Sequence, residues 1–136
     1  MYEYENENGT PGHASKKPWA LRLQKWLRDR GAIFEAEGET TRIHVANGVV
    51  VEVSRHDEVY EATIGVLLPE TISDDYLVNA ITIAFKLALL LGEKLRYELD
   101  TSLEGYPRLY ITASFEDPDA LVEKLTQALE ATTKTM

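Results

Sequence analysis

The chain contains no cysteine, so its fold cannot rest on disulfide bonds and it has no thiolate with which to hold a metal. Long hydrophobic runs are also missing. The most apolar stretch, residues 77–91, is interrupted by Asn79, Thr82 and Lys86 and is shorter than the ~20 residues that a membrane-spanning helix needs. The N-terminus is acidic and lacks the apolar segment of a secretory signal. We therefore expect a protein of the reducing cytoplasm with no membrane segment.

Positive charge is scarce as well. Against 14 lysine and arginine residues stand 23 aspartate and glutamate residues, which gives a formal net charge of -9. Nucleic-acid binding needs clustered cations that neutralise phosphates, so this balance argues against a nucleic-acid partner. One basic cluster, in residues 16–30, leaves an RNA-associated role open as an alternative.

The length of the chain, 136 residues, fits a single domain with a hydrophobic core. Residues 1–17 contain glycine, proline, asparagine and glutamate without any period, so we predict a flexible N-terminal tail there. Residues 18–136 are then expected to form one α+β domain.

The hydrophobic pattern predicts three helices and five to six strands in the order α-β-β-β-(β)-α-β-β-α. Apolar residues recur at helical spacing in residues 18–30, 74–91 and 118–131, and the segments between them alternate or are rich in β-branched types. Asn47 and Gly48 predict a hairpin with a type I′ turn, in which both residues have positive φ. Hairpins are expected in both groups of strands, and they indicate an antiparallel sheet with the helices packed on a face.

The central helix has only a narrow polar stripe, so it carries more apolar surface than one sheet can cover. Residues opposite the stripe are expected to meet the sheet, but four residues that flank the stripe are left unexplained. Either the other helices of the chain cover these four, or a second copy does across a two-fold axis. We predict a homodimer whose interface contains them: Tyr76, Ile83, Leu87 and Leu90.

No motif in the sequence indicates catalysis. Ser54, His56 and Asp57 are residue types of a catalytic triad, but neighbours in one turn cannot generally reach the geometry that a triad needs. His44 and His56 fall on neighbouring strands, yet no third metal ligand accompanies them. We therefore predict that the chain is not an enzyme and has no metal or cofactor. One alternative is a small-ligand regulator whose site combines four scattered residues: Arg42, His44, His56 and Arg96.

The absence of catalytic motifs favours a non-enzymatic protein-binding module. The first helix carries two tryptophans, and large aromatic side chains are frequent anchors of protein interfaces. We expect an extended segment of a client protein to add to a sheet edge and to fill apolar pockets beside it. The residues predicted to bind this segment are Trp19, Leu23, Trp26 and Phe34.

The order of these elements resembles that of the class I chaperones of type III secretion systems. The similarity lies in the first helix followed by residues 31–35, the hairpin of residues 42–52, residues 66–70 leading into the apolar helix, and Gly92 before a strand pair. It extends over residues 18–131. The resemblance implies a small acidic dimer, often formed through the central helix. It also implies that partner chains bind in extended form over apolar patches and sheet edges.

Overall fold

The computed structural model describes residues 17–71, 73–92 and 94–134. These residues form three α-helices and six β-strands, in chain order α1 (Lys17–Asp29), β1 (Ile33–Glu37), β2 (Thr40–Ala46), β3 (Val49–His56), β4 (Val59–Leu67), α2 (Asp74–Leu91), β5 (Leu95–Asp100), β6 (Arg108–Phe115) and α3 (Pro118–Lys134). The predicted α+β class and the predicted order of elements are confirmed. The predicted tail lies outside the described residues, except for Lys17, which begins α1.

All six strands form one antiparallel sheet with the order β1-β2-β3-β4-β6-β5. Short turns join the first four strands, so each of these strands lies beside its predecessor in the chain. Helix α2 provides the long connection from β4 to β5, and β6 pairs with both of these strands. As a result, β1 and β5 are the edges of the sheet. An edge strand has a row of backbone groups with no partner strand.

The helices lie on one face of the sheet, and the core fills the space between them. Alternation along the central strands directs Val51, Ile64 and Ile111 into this core, where they are fully buried. Helix α3 packs against both α1 and α2, and its Leu121 and Leu125 are fully buried in the same core. Complete burial of one such side chain contributes about 1.5–3 kcal/mol, so this layer supplies the main stabilisation of the fold.

The opposite face of the sheet, which we call the open face, carries no helix in the described part of the chain and is polar. Arg42 pairs there with Glu52 at 3.1 Å, and Arg96 pairs with Glu61 at 3.2 Å. Exposed ion pairs of this kind contribute about 0–1 kcal/mol each. The open face is therefore a hydrophilic surface and not a second core.

The central helix α2 begins and ends where the sequence predicts. Ser73 is its N-cap, and the Ser73 side chain accepts a hydrogen bond from the backbone N–H of Tyr76 at 3.1 Å. Gly92 follows the helix with a φ of 64° and donates its N–H to the carbonyl of Ala88. Neither α2 nor any other helix within residues 17–71, 73–92 and 94–134 is long and apolar enough to span a bilayer.

The hairpin predicted at residues 47–48 is present, but its turn differs from type I′. Only Gly48 has a positive φ, 82°, whereas the residue before it does not. Tyr76 of α2 passes close to this turn and donates its hydroxyl to the carbonyl of Leu67 at 3.2 Å. The turn is thus shaped by a contact with α2 that a local sequence pattern does not contain.

We expect Gly48→Ala to lower the free energy of unfolding by about 2–3 kcal/mol, because the new Cβ would lie 1.8 Å from the Tyr76 hydroxyl oxygen. The alanine backbone would also have to keep a positive φ. Gly38→Ala is the matched control. Gly38 also has a positive φ, but nothing lies within 4 Å of its added Cβ. Gly38→Ala should therefore lower the free energy of unfolding by only about 1 kcal/mol, through backbone strain alone. Urea unfolding measures both variants. Equal losses would show that the contact with Tyr76 has no effect.

Candidate protein-binding site

The described residues contain no group of three His, Cys, Asp or Glu side chains that could hold a metal ion. Ser54 Oγ lies 3.2 Å from His56 Nε2, and the same Nε2 lies 3.7 Å from Glu61 Oε1. A catalytic triad needs the nucleophile and the acid at opposite nitrogens of the imidazole ring. Ser54, His56 and Glu61 therefore lack the geometry of a triad. In the same segment, the hydrogen bond to Glu39 raises the pKa of Arg55 and holds this side chain as a cation.

The four polar residues of the small-ligand alternative do not form one site. Arg42 and His44 line a shallow groove of about 430 Å³ on the open face, whereas His56 and Arg96 each approach Glu61. His44 lies beside the beginning of β3, and His56 ends this strand. At about 3.3 Å per residue the two histidines are about 20 Å apart, so they cannot bind one ligand together.

Half of the six cations in the basic cluster of residues 16–30 are paired with carboxylates. Three of its cations are paired: Arg22 with Asp119, Lys25 with Asp29 at 3.0 Å, and Arg30 with Glu130 at 3.3 Å. Two of these carboxylates belong to α3, so the cations hold α1 against α3. A nucleic-acid backbone would have to displace them, which counts against the RNA-associated alternative.

A groove lies where the C-terminal end of α1 meets the edge strand β1, with a volume of about 530 Å³. Its apolar lining includes the half-buried ring of Trp26 and the side chain of Ile33, which is 69% exposed. The guanidinium of Arg30 covers the Trp26 ring at 4.4 Å from the ring centroid. We call it the edge groove and define it by Trp26, Arg30, Ala32, Ile33, Val45 and Leu129. An apolar groove beside a free strand edge is the arrangement that strand addition uses.

One of the four predicted client-binding residues, Trp26, lines the edge groove. Phe34 lies half-buried on β1 next to Ile33 and packs against the core. Trp19 and Leu23 are 1% and 0% exposed, so their predicted client contact is corrected to a role in the core. Ile33 was not among the predicted residues. Its signal was its position beside Phe34 in a short strand, where one of two adjacent apolar side chains must point outward.

A second apolar surface is formed by the outer side of α2 and by the edge strand β5. Tyr97 and Leu99 point to the helical side of the sheet, yet they are 57% and 60% exposed because the helices of the described residues leave much of β5 uncovered. The ring of Phe85 on α2 stacks on Tyr97, with 6.3 Å between the centroids. We call this the α2–β5 surface, and its exposed apolar side chains are Val78, Phe85, Leu89, Tyr97 and Leu99. Grouped apolar exposure of this kind marks interaction surfaces.

Of the four residues predicted at the dimer interface, Leu90 alone is exposed, at 41%. Ile83 and Leu87 are 3% and 0% exposed, and Tyr76 is half-buried with its hydroxyl bonded to a backbone carbonyl. The contact between copies predicted for Ile83 and Leu87 is corrected, since their flank of α2 faces the core shared with the sheet and α3. Apart from Leu90, the exposed apolar surface of α2 lies on the other flank of the polar stripe, at Val78, Phe85 and Leu89.

Comparisons with known proteins add little to what the geometry of these surfaces shows. A scan against known protein families finds no match, and no curated protein is similar in sequence. Among solved structures, the chain is similar to the crystal structure of YbjN from E. coli, described as a proposed transcription regulator. The identity is 17% and the TM-score 0.47, over 92% of this chain and 87% of that chain. This similarity assigns no family, and the resemblance to secretion chaperones stays a prediction.

Proposed function

We propose that this chain is a non-enzymatic, chaperone-like binding module that works as a homodimer and binds an extended segment of a client protein. The observation that carries this proposal is the edge groove at the start of β1, a strand whose other side has no partner strand among the described residues. Backbone pairing and an apolar anchor are therefore offered at the same place. The ligand and RNA alternatives have less support, because their residues are scattered or already paired.

The client segment pairs with β1 as an additional strand. Backbone hydrogen bonds supply affinity that does not depend on sequence, and alternate side chains supply selectivity. On the open face the client meets Ile33, Glu35 and Glu37, and on the other face it meets Phe34 and Ala36. We expect clients with an apolar residue beside Ile33 and with neutral or basic residues beside the two glutamates, because like charges directly opposite destabilise a strand pair.

A homodimer is supported by the α2–β5 surface, whose apolar side chains are the kind that a second chain buries. This surface lies at one edge of the sheet and the edge groove lies at the other. Dimer formation and client binding therefore do not compete, and each dimer offers two client sites. The absence of cysteine suits the reducing cytoplasm, which we propose as the compartment of this protein.

Selection of short peptides from a random library on the purified full-length chain tests the client site. We expect the selected peptides to alternate apolar and polar residues, as an added strand requires. Trp26→Ala should weaken their binding about tenfold or more, since it removes the aromatic side of the edge groove. Fluorescence anisotropy with a labelled peptide measures this loss.

Ile33→Lys should weaken the same peptides by a similar factor, because it places a charge where an apolar client residue lies. Val59→Lys is the matched control, since Val59 is an exposed apolar residue at the start of β4, away from β1. Circular dichroism checks that all three variants keep their secondary structure. Unchanged affinity in both Trp26→Ala and Ile33→Lys would rule out the edge groove as the client site.

A further inference from the structure

The edge strand β5 carries a charge pattern along its open face. Arg96, Glu98 and Asp100 occupy open-face positions, and Lys94 directly precedes the strand with a positive φ of 22°, so two cations are followed by two anions along the chain. Hydrogen bonds from Ser102 lower the pKa of Asp100, which keeps this carboxylate ionised. A sequence of two positive and two negative charges along a strand becomes its own complement when it is reversed.

When two copies of β5 pair antiparallel, residues of the same face must lie opposite each other. Otherwise the helical layers of the two copies would lie on opposite sides of the joined sheet. Three central registers fulfil this condition, with the two-fold axis at Arg96, at Tyr97 or at Glu98. The first sets Arg96 against Arg96, and the third sets Glu98 against Glu98. Only the register centred on Tyr97 has no like charges directly opposite each other within the strand, since Arg96 of each copy then meets Glu98 of the other.

We infer that a second copy of this chain pairs with β5 in the register centred on Tyr97, which joins two six-stranded sheets into one continuous sheet. This inference rests on the proposed homodimer and specifies how it is built. The other edge is unsuited to self-pairing. The open face of β1 carries Glu35 and Glu37 without a cation, so pairing over its full length sets Glu35 against Glu35.

The other face of this pairing brings apolar residues together. Leu95 lies opposite Leu99, and Tyr97 lies opposite its own copy on the two-fold axis. Phe85 already stacks on Tyr97 within each copy, so the pairing covers much of the α2–β5 surface. Arg96 now contacts Glu61 at 3.2 Å but is 64% exposed, which leaves its guanidinium free to reach the opposite strand. The apolar row supplies affinity, and the charges select the register.

Charge reversal tests the register. Arg96→Glu alone gives a strand with like charges facing Glu98, and Glu98→Arg alone gives the reverse, so each variant should dimerise about tenfold more weakly than the wild type. An equimolar mixture of the two restores opposite charges at both contacts and should recover the dimer. Sedimentation velocity distinguishes the 15.3 kDa monomer from a species of twice this mass. Glu58→Arg, a charge reversal in the exposed turn before β4, is the control.

Loss of a contact inside one copy cannot explain recovery on mixing, because neither variant regains its own partner. A dimer that persists in both single variants, or that mixing fails to restore, overturns the β5 register but leaves client binding at β1 untouched. A monomeric wild type at high micromolar concentration would contradict both the register and the proposed homodimer.

A cysteine placed on the axis gives an independent readout in a chain that has none. In the proposed register Tyr97→Cys faces its own copy at a Cα distance of about 4.5–5.5 Å, within the range of a disulfide. Arg96→Cys is the control, because the two Cα atoms at this position are about 8 Å apart. Under mild oxidation Tyr97→Cys should form a covalent dimer and Arg96→Cys should not. Equal cross-linking of both variants would overturn the register.

Discussion

Trp19→Ala should lower the free energy of unfolding by about 3–5 kcal/mol, the loss expected when a large aromatic side chain is removed from a packed core. The ring of Trp19 is 1% exposed and meets the ring of Tyr60 edge to face at 5.5 Å between centroids. This loss is comparable with the total stability of many small domains. We therefore expect a shifted or absent unfolding transition in urea. Tryptophan fluorescence and circular dichroism monitor this transition.

Trp26→Ala is the control for this substitution, because it removes the same side chain from the same helix seven residues further on. The Trp26 ring is only half-buried, so we expect a loss of about 1–2 kcal/mol and a protein that still folds. The two variants thus separate stability from binding. Should Trp19→Ala fold normally and lose only peptide binding, the assignment of Trp19 to the core would be wrong.

Leu87→Ala should cost about 2–5 kcal/mol, whereas Leu90→Ala should cost less than about 1 kcal/mol. Leu87 is 0% exposed on the inner side of α2, and Leu90, one turn further along the same flank, is 41% exposed. Both residues lie on one helix and both lose the same atoms, so the difference between them measures burial within one copy. Urea denaturation at a low protein concentration reduces any contribution from dimer formation.

Equal and small losses at both positions would contradict the assignment of Leu87 to the core. They would favour the sequence-based prediction, in which Leu87 meets a second copy. A large loss for Leu90→Ala that grows with protein concentration would instead show that Leu90 contributes to the dimer.

The order of the elements could be predicted because its signals are local. Ser73 and Gly92 mark the ends of α2 through capping preferences that do not depend on the rest of the fold. Gly48 marks a hairpin in the same way, and alternation of apolar residues marks the strands. The sheet and the helical layer follow from these elements, because short turns leave little choice of pairing.

The position of each apolar residue in the interior could not be predicted in the same way. Trp19 and Trp26 are seven residues apart and share one face of α1, so a periodic pattern treats them alike. Burial separates them, because Trp26 lies near the end of the helix beside an edge strand. For α2 the sequence indicates a surplus of apolar surface, but the flank that α3 and the sheet cover is decided by packing between elements.

The apolar side of β5 shows the same limit. Leu95, Tyr97 and Leu99 alternate with charged residues, which predicts a strand with one covered side. In the structure Tyr97 and Leu99 remain exposed, since β5 lies outside β6 at the edge of the sheet, although Phe85 of α2 stacks on Tyr97. The position of a strand within a sheet depends on pairing between segments that are distant in the chain. The local alternation of apolar and charged residues does not predict this pairing.

Amide hydrogen exchange on β1 tests most directly whether a free strand edge binds the client. The full-length chain is measured alone and with a selected peptide at saturating concentration. Strand addition predicts slower exchange at amides within Ile33–Glu37 that face away from β2, together with slower exchange in the peptide itself. Protection confined to α3 or to the open face, with exchange in β1 unchanged, would contradict the account.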